Sequence, residues 1–397
     1  MRAINRVQRI GAQAVVGTFN TVATAVAEAE ASIQSAQERY DRKSTTFWVR
    51  MRSLPKTHPL RRLRAVAFRR FPSPFQLMAE AYRDLPLDKL ETIEGYSITP
   101  WEARIDTAVD NDAVKATEAI QSGWAVRIAT ASSARNGVVG YGTVTMLPAS
   151  LRGGGGVITA SRTLGLRTEL NPYVAELAAL AEAVKALPQR LDYRAIHVFT
   201  RNKAAVLAIR KPRQQSGQRE IRQLYAGVQD LRRKGNRVTL FWLPSATESD
   251  LSKAAKAAAK ESTIPSKTPQ KRPARAYSTA LRIALQSVRQ KYRALPDNVG
   301  AFSKKIDVAL PGKHTRELYD ELSWKEASIL AQLRTGMTET HRGNLSYFLG
   351  GKSASDPDDW SPCIDVVKET IKFAMSTQRL DAQINQQRDH TPPTSTH

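Results

Sequence analysis

The chain has 397 residues, with 60 Lys and Arg against 37 Asp and Glu, and a net charge of +23. The length admits two or three domains, and so large a cationic surplus favours a polyanionic partner, because basic side chains on phosphates release condensed counterions. The single cysteine, Cys363, excludes an internal disulfide framework and a Cys-based zinc site, and no apolar run approaches the ~18 residues that would span a membrane.

Residues 1–47 read as one helix, because Val7, Ile10, Ala14, Val15, Phe19 and Val22 recur at helical spacing. Its apolar face (Val7, Ile10, Ala14) is expected to pack against the body of the protein. Arg2, Arg6 and Arg9, with no acid before Glu28, also give it the composition of a mitochondrial presequence, but an ordinary amphipathic helix is the preferred reading. Residues 39–70 form a basic block of eleven Lys and Arg with one acid, Asp41, and Pro55, Pro59, Pro72 and Pro74 cut this region into short pieces. Residues 75–100 add a short helix and an irregular approach to Pro100.

The period then changes to two. Strands are expected at Trp124–Thr130, Val138–Met146 and Val157–Leu164, the second alternating Val139, Tyr141, Thr143 and Thr145 against Val138, Gly140, Gly142, Val144 and Met146. A helix follows at Pro172–Leu187, with Pro172 suited to its first turn. Then come a strand at Ala195–Thr200, helices at Lys203–Ile209 and Gln218–Lys234, a strand at Arg237–Leu243 and an Ala/Lys helix at Ser249–Lys260. Short turns make the first three strands antiparallel, and helical crossovers make the later ones parallel. The fold class is therefore α/β, a mixed five-stranded sheet with flanking helices, between mainly helical N- and C-terminal regions.

Residues 261–276 read as a linker, since Pro265, Pro269 and Pro273 alternate with Lys267, Lys271, Arg272 and Arg275. Lys271 to Arg275 has the composition of a nuclear import signal. A basic helix is expected at 277–295, and Ser323 to Glu326 is a capping box opening a helix that runs to Arg334 and stops at Gly336. Residues 382–397 are polar and expected to be disordered. The segments are thus a helical basic 1–100, an α/β 101–260, the linker, a helical 277–381 and the tail.

The middle order is that of the ribonuclease H fold, and flanking motifs extend the resemblance. Arg6 to Ala14, Thr21 to Glu30 and Leu54 to Leu60 resemble the segment after the reverse transcriptase in fungal LINE-type (non-LTR) retrotransposon polyproteins. Leu310 to Arg316 and Ala327 to Gly336 resemble the part that follows their ribonuclease H domain. The polymerase is absent, for no Y-x-D-D-type pair occurs, so the chain resembles the C-terminal third of such a polyprotein. Those tails often end in a zinc knuckle, but Cys363 stands alone and no zinc site carries over.

The resemblance also implies a site. Active relatives use carboxylates to hold two Mg²⁺ ions about 4 Å apart. Here Thr130 to Ser133 stands where the family has T-D-G-S, so Ala131 occupies the first aspartate position. The glutamate after Y-x-A-E is present as Glu176, following Tyr173. Thr200 to Ala205 matches T-D-N-x-A-A, with Arg201 for the aspartate. From Trp242 onward the last motif runs without a gap, and Ala246, Lys253 and Lys256 replace its histidine, glutamate and final aspartate. The local charge changes from about −4 to about +1, and a like charge near 4 Å costs a cation roughly 4 kcal/mol at moderate screening. Glu176 is then either a helix-surface residue without a role or the partner of Arg201 or Lys256 in a salt bridge. Glu169, Asp192, Glu248 and Asp250 show no spacing that rebuilds a metal site.

These readings leave enzyme activity open but favour a non-catalytic protein that needs no cofactor of its own and binds RNA, DNA or a hybrid through basic surfaces. Arg61, Arg62, Arg64, Arg69, Arg70, Lys267, Lys271, Arg272 and Arg275 are the expected phosphate contacts, with Trp48, Tyr277 and Tyr292 as stacking platforms. Residual hydrolysis of RNA–DNA hybrids and a protein-interaction role without nucleic acid are the alternatives. No membrane partner is expected, the oligomeric state is open, and the compartment is nuclear or cytoplasmic, with mitochondrial as the alternative.

Overall fold

The computed structural model describes residues 2–62, 71–109, 113–150, 155–244, 247, 249–336, 345–356 and 358–376. Arg64, Arg69, Arg70, Ala246, Glu248, the side chain of Arg62 and the tail from 382 lie outside the described residues. In chain order the elements are α1 (Arg2–Val16), α2 (Thr24–Glu30), α3 (Ala36–Ser53), α4 (Pro59–Arg62), α5 (Pro74–Ala81), β1 (Asp106–Ala108), α6 (Ala113–Gln121), β2 (Val126–Arg135), β3 (Val138–Leu147) and β4 (Gly156–Leu166). They continue with α7 (Pro172–Lys185), β5 (Ala195–Thr200), α8 (Lys203–Arg210), α9 (Gln218–Arg233), β6 (Arg237–Trp242), α10 (Asp250–Glu261) and α11 (Tyr277–Lys291). The last are α12 (Ala301–Ile306), α13 (His314–Asp320), α14 (Trp324–Thr335), α15 (Leu345–Phe348) and α16 (Ile364–Ser376). Two units form, one from residues 44–285 and one from residues 1–43 with 286–397.

The first unit is built on a six-stranded sheet in the order β1-β6-β5-β2-β3-β4. β2, β3 and β4 pair antiparallel, and β2–β5, β5–β6 and β6–β1 pair parallel. The sequence predicts five strands. The sixth, β1, has three residues, too few to show a period, and exists because Asp106, Thr107 and Ala108 pair with Thr239, Leu240 and Phe241. β2 is also longer than expected. It runs to Arg135 and turns back through Asn136 (φ 51°) and Gly137 (φ 73°), the left-handed pair that matches the twist of a tight hairpin.

Alternation sorts the side chains of this sheet onto two covered faces. Val126, Ile128, Ile196, Val198, Val238 and Leu240 pack with Leu177, Leu180 and Val184 of α7, Val206 of α8 and Ile221 and Val228 of α9. Ala129, Val144, Phe199 and Phe241 pack on the other face with Ala119 of α6 and Leu251 and Ala255 of α10. α10 lies so close to β3 that a Cβ on Gly142 would sit 2.4 Å from the Ala259 amide nitrogen, so only glycine fits.

Residues 261–276 are not a free linker. Leu90 and Arg275 form a β-bridge, the Arg275 amide donates to Lys89 O at 2.7 Å and the Glu91 amide to Arg275 O at 2.9 Å. Arg275 Nε donates to Thr168 O at 3.0 Å, and Arg272 pairs with Glu169 at 3.6 Å. Pairing of this kind is invisible to composition, which sees only Pro and Lys.

In the other unit the single helix expected over 1–47 is three. α1 stops at Gly17, in left-handed backbone (φ 68°), where a Cβ would lie 2.0 Å from Ser328 Oγ. The expected packing face is also wrong. α1 buries Ala12, Gln13 and Val16, while Val7, Ile10 and Ala14 face solvent. Gln13, polar and so absent from a hydrophobic pattern, is buried because its Nε2 reaches the carbonyls of Phe19, Asn20 and Val22. The capping box on α14 forms as read, with Glu326 N donating to Ser323 Oγ at 3.4 Å and Ser323 N to Glu326 Oε2 at 2.9 Å.

The last turn of α14 carries Arg334, whose side chain is fully buried. Its Nε donates to Glu30 Oε2 at 2.9 Å, Nη2 to Asp307 Oδ2 at 2.7 Å and Nη1 to Leu349 O at 2.8 Å. Tyr319 OH donates to Glu30 Oε2, and His314 Nε2 bonds Asp307 Oδ2 at 2.6 Å. Burial alone would lower the Arg334 pKa, but the Glu30 and Asp307 carboxylates outweigh it and hold the guanidinium above its ordinary value. Burial would likewise raise Asp307, but the His314 hydrogen bond and the Arg334 charge hold it below the usual carboxylate range.

Replacing Arg334 by Met leaves two buried carboxylates without their cation, and denaturant unfolding is expected to show a loss of about 3–5 kcal/mol. Because the Asp307 value is depressed on folding, its contribution is present above the unfolded value near ~3.9 and fades as the pH falls below it. An Asp307→Asn variant should therefore show a flatter acid limb in a stability-against-pH series. Gly142→Ala should lower the melting temperature of the sheet unit, since backbone at 2.4 Å cannot give way cheaply.

Candidate functional site

Glu176 lies in the first turns of α7, a helix positioned by its own cap. Asn171 Oδ1 accepts from the Val174 amide at 3.1 Å and Pro172 fills the first turn. From there the Glu176 side chain enters the sheet where β2 and β5 pair. Thr130 stands opposite Thr200 in that ladder, and both hydroxyls donate to Glu176 Oε1, at 2.6 and 2.7 Å. The Asn202 amide donates to Thr200 Oγ1 at 3.1 Å. The three side chains are sealed, with Glu176 3%, Thr130 5% and Thr200 1% exposed.

The other positions marked by the resemblance stand apart from this knot. Ala131 is not in a turn. It continues β2 opposite Gly142 and packs against the α10 cluster of Leu251 and Ala255. Arg201 is exposed just after β5, and its Nη2 donates to Thr247 O at 2.8 Å. Lys256 is exposed on α10. The expected salt bridge from Arg201 or Lys256 to Glu176 is therefore replaced by two threonine hydroxyls, and Glu176 is not a surface residue either. Sequence reasoning missed Thr130 and Thr200 because the motif frame pointed to Ala131 and Arg201, whereas strand pairing sets the two threonines opposite each other. The Asn136-Gly137 hairpin signal, read first, carries the strand through to Arg135.

This donor set does not suit the Mg²⁺ pair that the resemblance implies. One carboxylate oxygen is occupied by two hydroxyl donors, and among the described residues no three His, Cys, Asp or Glu side chains gather where they could hold a metal ion. Beside the knot the chemistry is cationic and aromatic. Lys203 Nζ sits 4.4 Å from the centre of the Trp242 ring, and Trp242 Nε1 donates to Arg201 O at 3.3 Å.

The basic residues divide by what they already hold. Arg61 is half-buried and gives a hydrogen bond to Arg52 O. Burial, then the Arg52 charge, lowers its pKa. Arg272 and Arg275 are engaged as described above, whereas Lys267 and Lys271 are exposed and enter no described ion pair. On α10, Lys256 and Lys260 are exposed in the same way.

Thr130→Val or Thr200→Val removes one donor from a buried carboxylate while keeping the shape of the side chain. Each is expected to cost about 1.5–3 kcal/mol in denaturant unfolding, and Arg201→Gln less than about 0.5 kcal/mol. Threonine losses as small as that of Arg201→Gln would show that the knot contributes nothing.

No family model matches the chain, and no curated protein does. Among solved structures, it is similar to the N-terminal RNase H domain of Rv2228c from Mycobacterium tuberculosis, solved as a fusion with maltose binding protein. The identity is 16%, covering 35% of this chain and 100% of that one, with a TM-score of 0.27. It is also similar to RNase H1 from the halophilic archaeon Halobacterium salinarum NRC-1, at 17% identity over 34% of this chain and 96% of that one, with a TM-score of 0.26.

Proposed function

We propose that the sheet unit is a ribonuclease H-like scaffold that has ceased to cut and that holds nucleic acid through basic surfaces. The observation that carries the loss of cutting is the Thr130–Glu176–Thr200 knot. Two-metal hydrolysis needs several oxygen anions converging on open space, and here one carboxylate is closed off by hydroxyls. The motifs flanking the sheet support descent from the post-polymerase region of a fungal LINE-type polyprotein. A nuclear site of action fits a nucleic-acid partner, although Arg272 and Arg275 of the proposed import signal are tied into the fold.

The binding half of the reading rests on charge. With a net +23, exposed and uncommitted lysines are the side chains best placed to displace counterions from phosphate, and Lys256, Lys260, Lys267 and Lys271 are such residues. Aromatic platforms beside cations, such as Trp242 with Lys203, suit stacked or single-stranded bases. Phosphate contacts carry no base information, so sequence preference is expected to be weak.

The purified protein is expected to leave an RNA–DNA hybrid intact with Mg²⁺ or Mn²⁺, while filter binding across a salt series gives a negative slope. Changing Lys256, Lys260, Lys267 and Lys271 to Gln together should weaken binding and flatten the slope by about 0.7–0.9 for each phosphate that is no longer neutralised. Metal-dependent cleavage abolished by Glu176→Gln would overturn the first half. An unchanged slope would overturn the second.

A further inference from the structure

α1 turns outward the face that its own sequence marks as apolar. Ile4, Val7, Ile10 and Val15 are 55%, 71%, 55% and 57% exposed, and the buried edge is Ala12, Gln13 and Val16. At 3.6 residues per turn the exposed four cover an arc of roughly 140°. Gly11 lies within that arc, and a Cβ placed there would meet nothing within 4 Å. The same helix carries Arg2, Arg6 and Arg9, all exposed, and no acidic residue. None of the three arginines enters a described ion pair or hydrogen bond, although Gln8 between them bonds Glu28 at 2.6 Å.

We propose that α1 docks on an anionic lipid surface, lying in the interface plane with Ile4, Val7, Ile10 and Val15 among the outer acyl carbons and the arginines at headgroup level. Charge complementarity selects the sign of the occupant, since three uncommitted guanidinium groups with no carboxylate on the helix attract anions and the net +23 draws the whole chain toward an anionic plane. The breadth of the apolar arc selects its form. A single coiled-coil partner covers a narrow two-in-seven seam, whereas a lipid boundary accepts a wide stripe of separated aliphatic side chains on a helix whose polar face is basic. No described helix is long and apolar enough to cross a membrane, and an interfacial helix needs neither length nor an unbroken apolar run. This departs from the expectation of no membrane partner, and the observation behind the departure is the exposed apolar face of α1. The attachment is reversible, because a handful of aliphatic side chains does not anchor permanently.

The test uses the full chain and vesicles of phosphatidylcholine with or without phosphatidylserine, in low salt. Wild-type protein should float with the serine-containing vesicles and not with pure phosphatidylcholine, and an Ile10→Trp variant should show blue-shifted indole emission only with the former. The neutral double change Val7→Ser with Ile10→Ser should lower partition by at least about tenfold with little change in melting temperature, since both side chains are more than half exposed. Gly11→Leu should raise partition. Binding that ignores the double serine change would mean that basic patches elsewhere hold the vesicle, and an unmoved indole spectrum would mean that the face stays in water. Either result overturns the proposal. A double serine variant that loses self-association in sedimentation while keeping vesicle partition would overturn it in favour of a second copy of the chain.

Discussion

A β-strand can serve two layers only because its side chains alternate, and β2 shows how much rests on that constraint. Val126, Ile128 and Thr130 face α7, while Ala129 and Ala131 face α10. A slip of one residue would bring Ala131 to Glu176 and bury Thr130 among Leu251 and Ala255. The pairing of Thr130 with Thr200 across parallel strands, the approach of α10 to Gly142 and the closure of the Asn136-Gly137 hairpin all fix the same register. The polar knot is therefore a registration device, since Glu176 finds both hydroxyls only when β2, β5 and α7 are in place together.

Each unit buries charge in its own way. In the sheet unit a lone carboxylate is satisfied by neutral hydroxyls. In the other, the Arg334 guanidinium is satisfied by Glu30, Asp307 and a main-chain carbonyl. Buried guanidinium suits such a junction because its planar fork serves several acceptors at once. These commitments use few of the cations. Among the described residues most of the other Lys and Arg side chains are exposed or half-buried, where salt screens them.

Elements with a strong period were legible in the sequence. β3, β5 and β6, together with α7, α8, α9 and α10, stand within a few residues of their expected bounds, because both faces of the sheet are covered and apolar spacing reports that directly. β1 was not legible, since pairing with β6 and not periodicity makes it a strand. The route of residues 261–276 was hidden for the same reason, because main-chain bonds to Lys89 and Glu91 carry no composition signal. At the site, the motif frame located Glu176, but it named neighbours by sequence position. Contact follows the pleat, and the pleat gives Thr130 and Thr200. The error at α1 is of a different kind. An apolar face predicts that something covers it, and sequence cannot say whether that cover belongs to the same molecule.

Glu30 and Arg334 are 304 positions apart, and this separation dictates an order of assembly during synthesis. A chain leaves the ribosome from its first residue onward, so α2 emerges with Glu30 long before Asp307 or Arg334 exists. Everything the sheet needs, from Ser44 to Leu285, is delivered in between and can close on its own contacts. Once that middle stretch is folded, the ends it carries are held far closer than those of an open loop of the same length, and the entropic cost of joining them falls accordingly. The stretch that builds the sheet unit is thus delivered before the two-ended unit has all its parts, and that unit closes only after Arg334 has been made.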